Sequence, residues 1–244
     1  MGDRILTRTF SHITEIGEDF LRSNNIHTWQ DYLNNVNNLE VRNKECIQEK
    51  ILKSIEAYNN QNYSYFINNL PDKDHWRLYP HLKPCFLDIE TTGLGQENDL
   101  TVIGMYDGTE SQFFIKDINL EAFKDEIKKY DSIITFNGKR FDIPFIKSKF
   151  PELTLPSCHI DLMYPLRELG YTGGLKAIER ILNISREEEI HGMSGYEAVI
   201  LWKRYKNGNK AALAKLIKYN KADIENLKTL ADFTYSRLQQ KYTI

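Results

Sequence analysis

Apolar residues recur at helical spacing through the first third of the chain. Ile13, Ile16, Phe20 and Leu21, then Ile47, Ile51, Ile55 and Tyr58, are separated by asparagine-rich polar stretches. The spacing predicts a folded helical region over residues 1 to about 70, closed by the turn signal Leu70-Pro71-Asp72-Lys73-Asp74. From Lys83 the texture changes. Pro84 to Glu90 is a short apolar run that reads as a buried strand, and Leu100 to Tyr106 and Ser111 to Ile115 flank the hairpin signal Asp107-Gly108. Phe123, Ile127 and Tyr130 mark a helix, and Ser132 to Phe136 another strand. A helix entered through Pro144 follows, since proline is tolerated in a first helical turn. An extended piece near Cys158 to Leu162 precedes helices over about 174–183, 194–206 and 209–240. Three meandering strands followed by strand–helix alternation predict an α/β class, a mixed sheet flanked by helices. The division expected is a helical domain over 1–78 and the α/β domain over 79–244.

Composition narrows the picture modestly. The 244 residues, 41% hydrophobic and 27% charged, suffice for one sizeable core with a smaller appended domain. A net charge of −2 disfavours a protein that merely coats nucleic acid, because such binding comes from neutralising phosphates. An enzyme that gathers carboxylates around metal ions need not be basic. Cys46, Cys85 and Cys158 lie far apart, without zinc-ligand spacing, and read as free thiols. The N-terminal MGDRILTRTF lacks an apolar signal core and no stretch has the length of a membrane span, so a cytoplasmic protein is expected.

Three segments carry candidate chemistry. Asp88 and Glu90 stand two apart in a predicted strand, so their side chains share one face beside Phe86, Leu87 and Ile89. Two unpaired carboxylates there repel each other and resist desolvation, and a divalent cation removes that difficulty. Asp142 follows an Asn-Gly turn and precedes Pro144 at a helix start. On this segment alone the ordinary reading is an N-cap. Tyr219 and Asp223 are one helical turn apart, beside a core stripe running through Leu213, Ile217, Asn220, Ile224, Leu227 and Ala231. That places them at the border between core and solvent. Singly, each segment has a bland alternative: a chance Asp-x-Glu, a helix cap, a half-buried tyrosine beside a solvated aspartate.

Taken in order, the three segments resemble the motifs of the DEDD exonucleases of the ribonuclease H-like superfamily, in the subclass with tyrosine in the third motif. Asp88 and Glu90 match the first motif, Asp142 the second, and Tyr219 with Asp223 the third. The subclass with histidine five positions before the last aspartate is excluded by Lys218. LDIETTGL, TFNGKRFDIPF, HIDLMYPLRELG, GGLKAIERIL, SGYEAVILWKRY and LIKYNKADIENLKTL together are similar to the YprB-like branch of bacterial and archaeal exonucleases. The N-terminal segment resembles half of a helix-hairpin-helix, with its glycine pair reduced to Gly17 and Glu15 standing where a glycine would.

The resemblance implies a ribonuclease H-like mixed sheet and 3′–5′ hydrolysis of phosphodiester bonds with two Mg²⁺ or Mn²⁺ ions. Oxygen-only ligands favour these over zinc. It implies that Asp88 bridges both ions, that Glu90 and Asp223 hold the one activating water, and that Asp142 holds the other. Tyr219, a phenol that titrates near 10 when unperturbed, would orient the water. Thr91 and Thr92 would meet the 3′ end. Phe136, Asn137 and Phe141 would stack on or hydrogen-bond the last bases, and Lys139 and Arg140, with Lys147 and Lys149, would contact phosphates. Core or solvated-face roles compete for Phe141 and the basic residues, and Asp161 reads as structural. The expected partner is nucleic acid, DNA ahead of RNA, and no membrane. RNA 3′ trimming, structure-specific cleavage and a binding module with an inactive core are the competing readings.

Overall fold

The structure, a computed structural model, describes residues 5–95 and 97–243. The chain forms two compact units, residues 1–82 with 237–244, and residues 83–236.

The first unit is helical. Helices α1 (Glu18–Ser23), α2 (Trp29–Asn35), α3 (Lys44–Asn59) and α4 (Tyr63–Asn69) are followed by a 3₁₀ run over Asp72–His81. Thr28 and Asp31 form a capping box that starts α2. Trp29 stacks on Phe66 at 5.9 Å, and its indole N–H donates to the Thr9 carbonyl at 2.7 Å. Ile13 and Ile16 are buried but lie in turns ahead of α1, so the first apolar series is only partly helical. The segment after Pro71, expected to be a turn, winds on as a 3₁₀ helix because Trp76, Arg77 and Leu78 are all buried.

The second unit is built on a five-stranded sheet of order β3-β2-β1-β4-β5. Its strands are β1 (Pro84–Thr91), β2 (Leu100–Tyr106), β3 (Ser111–Ile115), β4 (Ser132–Thr135) and β5 (Cys158–Asp161). β1, β2 and β3 pair antiparallel, and β1, β4 and β5 pair parallel, the mixed arrangement that the meander and alternation predict. Gly108 turns the hairpin with φ 99°, a conformation glycine adopts freely. Asp107 Oδ1 accepts from the backbone N–H of Thr109 and Glu110 there. The helices are α5 (Phe123–Glu126), α6 (Asp142–Lys149), α7 (Met163–Glu168), α8 (Leu175–Ile181), α9 (Gly195–Lys206) and α10 (Lys210–Thr243), whose residues from Arg237 on belong to the first unit.

Alternation along β1 sorts its side chains. Cys85, Leu87 and Ile89 enter a core shared with Ile103, Met105, Phe123, Phe145, Ile146 and Phe150, that is, with α5 and α6. Val102 of β2 points the other way, into a second core with Trp202 of α9 and Leu216 and Tyr219 of α10. The sheet is thus covered on both faces. Two elements depart from the pattern: α5 is a single turn between 3₁₀ turns, and α7 is unforeseen. Pro165 sits in the first turn of α7, where proline is tolerated. Cys85 and Cys158 are buried and Cys46 exposed, and none forms a disulfide among the described residues. Among the described residues no helix is long and apolar enough to cross a membrane.

Candidate active site

The face of β1 opposite Leu87 and Ile89 carries Asp88 and Glu90. The ladder to β2 shifts register between Glu90 and Thr91, a bulge that ends regular pairing just past the second acid. Across from Asp88 on β2 stands Gly104. Its missing side chain lets α10 approach, and Asn220 Nδ2 donates to Asp88 Oδ2 at 2.8 Å. A Cβ on Gly104 would lie 1.9 Å from Asn220 Oδ1 and 3.3 Å from Ile224 Cγ2. Gly104→Ala is therefore expected to push α10 off the sheet. The cost should be about 1–3 kcal/mol of stability, the usual range for overpacking, and chemical denaturation measures it. A change under about 0.5 kcal/mol, the range of neutral surface substitutions, would show that the contact yields freely.

α10 brings Asp223 to the same place. One carboxylate oxygen each from Asp88, Glu90 and Asp223 lie within 4.8 Å of one another. Asp142 approaches from α6, and its Oδ1 accepts from the Ile89 N–H, between the two acids of β1, at 3.2 Å. This corrects the cap reading. Asp142 is the first helical residue and is buried, Phe141 holds the N-cap position, and no side-chain cap bond forms. Tyr219 and Asp223 are likewise buried, where a border position is expected from the helix alone. The segment 182–194 accounts for this, since Ile190 and Met193 pack on Tyr219 and Arg186 reaches Asp223.

The electrostatics follow from crowding. Burial holds the Asp88 carboxyl well above the usual range, and repulsion from Asp223, Asp142 and Glu90 adds to it. Burial and then Asp223 do the same to Glu90, whose Oε1 has no hydrogen-bond partner. Asp142 is pushed up to about 7, chiefly by burial, against the Ile89 hydrogen bond. Asp223 is raised by burial and partly relieved by Arg186. That guanidinium is itself buried: Nη2 meets Asp223 Oδ1 at 2.5 Å, and Nε and Nη2 grip both oxygens of Glu179 at 2.7 Å. Lys176 of α8 bonds the Tyr219 hydroxyl and the Met193 carbonyl. Burial lowers the lysine, while burial and then Asp223 raise the phenol, so Tyr219 stays protonated.

A cleft of about 580 Å³ opens over this cluster, and Asp88, Glu90, Tyr219 and Asp223 line it. Thr91, Thr92 and Phe141 line it too, and Phe141 also packs on the core beside Phe145. Phe136, Asn137, Lys139 and Arg140 do not. Their loop wraps Asp161, whose carboxylate accepts from the N–H of Asn137, Lys139 and Met163. Lys147 and Lys149 are on the exposed face of α6. Sequence reasoning missed Lys176, Arg186 and Glu179 around the acids, and Tyr196 and Lys203 in the cleft lining. Basic and aromatic residues on helices and loops are common, and nothing local distinguishes these. Asn220 carried a signal, an amide in an otherwise apolar stripe.

Oxygen-only donors, an unpartnered buried carboxylate oxygen and mutual repulsion together fit a hard divalent cation. Residues 85–235 match the RNase H superfamily, and the chain belongs to that family, which is related to nucleases that generally use divalent metals. No curated protein matches the chain. Among solved structures it is similar to the family B DNA polymerase of the hyperthermophilic archaeon Pyrobaculum calidifontis, at 15% identity and TM-score 0.53. The match covers 65% of this chain and only 25% of the polymerase, and it is a likeness of fold.

Proposed function

We propose that the protein is a divalent-metal-dependent 3′–5′ exonuclease of the tyrosine-type DEDD class, in its YprB-like branch, acting on single-stranded DNA ends with Mg²⁺ or Mn²⁺. The observation that carries this reading is the convergence of Asp88, Glu90 and Asp223 from two elements, with Asp142 against the backbone between the first two. Asp88, Glu90 and Asp223 would hold one ion, and Asp88 with Asp142 a second. Bound divalent cations lower the pKa of a coordinated water and offset charge on the scissile phosphate. The chain's own groups do the rest. Asn220 fixes one oxygen of Asp88 and leaves the other for coordination. Arg186 holds Asp223 in place.

Tyr219 works as a neutral donor. Lys176 donates to its oxygen, so the phenolic proton is free to orient a water at the cleft instead of turning toward the lysine. Leu94 and Tyr196, 87% and 74% exposed at the cleft, offer apolar faces to unpaired bases, as single-strand binders do. Both Tyr219→Phe and Lys176→Met are expected to lower kcat by about 100-fold, the scale of a misplaced reacting group. KM should stay nearly constant, and Mn²⁺ binding followed by paramagnetic resonance should be unchanged. Wild-type kcat in both variants would remove this pair from the mechanism.

The direct test uses end-labelled single-stranded DNA, duplex DNA and RNA with Mg²⁺, Mn²⁺ or EDTA. A mononucleotide ladder from the 3′ end of single-stranded DNA, abolished by EDTA, is the expected result. Internal cuts, or degradation of RNA alone, would replace the substrate assignment. Cleavage that persists in EDTA would overturn the reading.

A further inference from the structure

The helical unit contains a cavity of about 490 Å³ with an unusual polar lining. Four cationic side chains, Arg8, Arg22, Arg77 and Lys241, face it against one carboxylate, Glu18. Two of these cations are fixed. Arg8 Nη1 donates to the Tyr242 carbonyl at 3.3 Å. The Arg77 guanidinium carbon lies 4.6 Å from the ring centres of both Trp76 and Tyr242, which pack on each other 5.8 Å apart, and its Nε meets Asp74 Oδ1 at 3.4 Å. The Arg77 side chain is 5% exposed. Yet Arg8 Nε and Arg77 Nη1 are buried and find no acceptor among the described residues.

Buried guanidinium N–H groups almost always meet an acceptor, because leaving one bare forfeits the hydration it had in water. Arg8 and Arg77 thus line one cavity on side chains already braced, each with a donor left unmet, and the excess of positive charge around that space points to an anionic ligand that comes from outside. Arg8 and Arg77 are far apart in sequence and are held on different parts of Tyr242, its carbonyl and its ring, so a ligand meeting both must present several acceptor oxygens in different directions. A phosphoryl group does so, and guanidinium forks suit it. The cavity is larger than phosphate alone requires. Phe10, Leu21 and Ile26 give its wall an apolar part beside Thr9 and His27, and its volume falls in the range of small-molecule sites. We infer that this cavity is a phosphoryl-binding site for a nucleotide, with the phosphate at Arg8 and Arg77 and the nucleoside against the apolar wall. The inference rests on the cavity alone and stands or falls apart from the nuclease reading. The nucleotide can be free or the end of a strand.

Calorimetric titration of the full chain in EDTA tests it, with adenosine 5′-monophosphate, adenosine and inorganic phosphate as probes. 5′-Phosphorylated and 5′-hydroxyl oligothymidylate are then used as competitors. The monophosphate is expected to bind, phosphate more weakly, and adenosine not at all. Arg8→Gln should weaken binding roughly tenfold, as loss of a charge-assisted contact does, and Arg22→Gln, which removes a second cation from the lining, by a smaller factor. Arg22 is exposed, so its variant should melt like the wild type, and a failure of Arg77→Met to fold leaves the test intact. Binding should survive in Glu90→Gln, which separates it from product binding at the acid cluster. Competition by the 5′-phosphorylated strand assigns a strand end, and competition by the mononucleotide alone assigns a free nucleotide. Absence of heat with both phosphate and monophosphate, or equal affinity in the wild type and both arginine variants, would overturn the inference.

Discussion

Glu90→Gln is expected to do two opposite things: to cost at least about 100-fold in cleavage rate and to stabilise the metal-free protein. Even residues that only support a metal ligand cost about 10–100-fold when changed, so a direct ligand should cost no less. The stability gain follows from crowding. Glu90 is buried, its Oε1 is unpartnered, and its charge adds to the repulsion that raises Asp88. Glutamine keeps the shape and removes the charge. The sign in pH follows. These carboxyls have folded pKa values above their unfolded ones, so the folded state holds more protons than the unfolded state over the intervening pH range. Their favourable contribution is present below about pH 4, the unfolded value, and is lost as pH rises through the value of about 7 at Asp142. In EDTA the wild-type melting temperature should fall between those limits, and Glu90→Gln should fall less steeply. Saturating Mg²⁺ should restore the wild type at pH 8 more than the variant. Identical melting curves for the two in EDTA, or unimpaired cleavage by Glu90→Gln, would contradict the place given to this acid.

Much of this architecture is legible in sequence because β1 and α10 are written in simple periods. Asp88 and Glu90 share a face by alternation. The hairpin is marked by Asp107-Gly108, and β2 and β3 fall where their apolar runs lie. What sequence could not give was which surface covers which. A helical wheel of α10 puts Tyr219 and Asp223 at a solvent border. Tyr219 is buried because Ile190 and Met193, from a segment with no periodic signal, fold over it, and Arg186 of the same segment covers Asp223. The Asp142 reading failed for a related reason. Local propensity favours an Asp cap at a helix start, but the Ile89 N–H, 53 residues away in sequence, takes that carboxylate instead. The loop from Phe136 to Arg140 shows the converse limit. Its aromatic and basic residues suit a nucleic-acid contact, yet the backbone there is organised around Asp161 and leaves those side chains outside the cleft lining.

Arg186→Met should be the most damaging single change to stability, by about 3–5 kcal/mol, because it strips the partner from two buried carboxylates at once. The guanidinium is 5% exposed, and Glu179 and Asp223 are buried to nearly the same degree. Neither acid can turn to water, and Asn226 Nδ2, which donates to Glu179 at 3.0 Å, supplies only a neutral hydrogen bond. The two carboxylates play different parts, and the double variant separates them. Glu179→Gln added to Arg186→Met removes one stranded charge and should recover a substantial part of the loss. If the remaining deficit belongs to Asp223, Mg²⁺ should reduce it, because a cation at the acid cluster replaces the lost positive charge. Urea denaturation of the single and double variants, each in EDTA and in saturating Mg²⁺, measures both effects. A loss below about 1 kcal/mol, the range of exposed ion pairs, would mean that the triad is solvated. A loss unaffected by Mg²⁺ would detach Asp223 from the metal cluster while leaving Arg186 a structural brace.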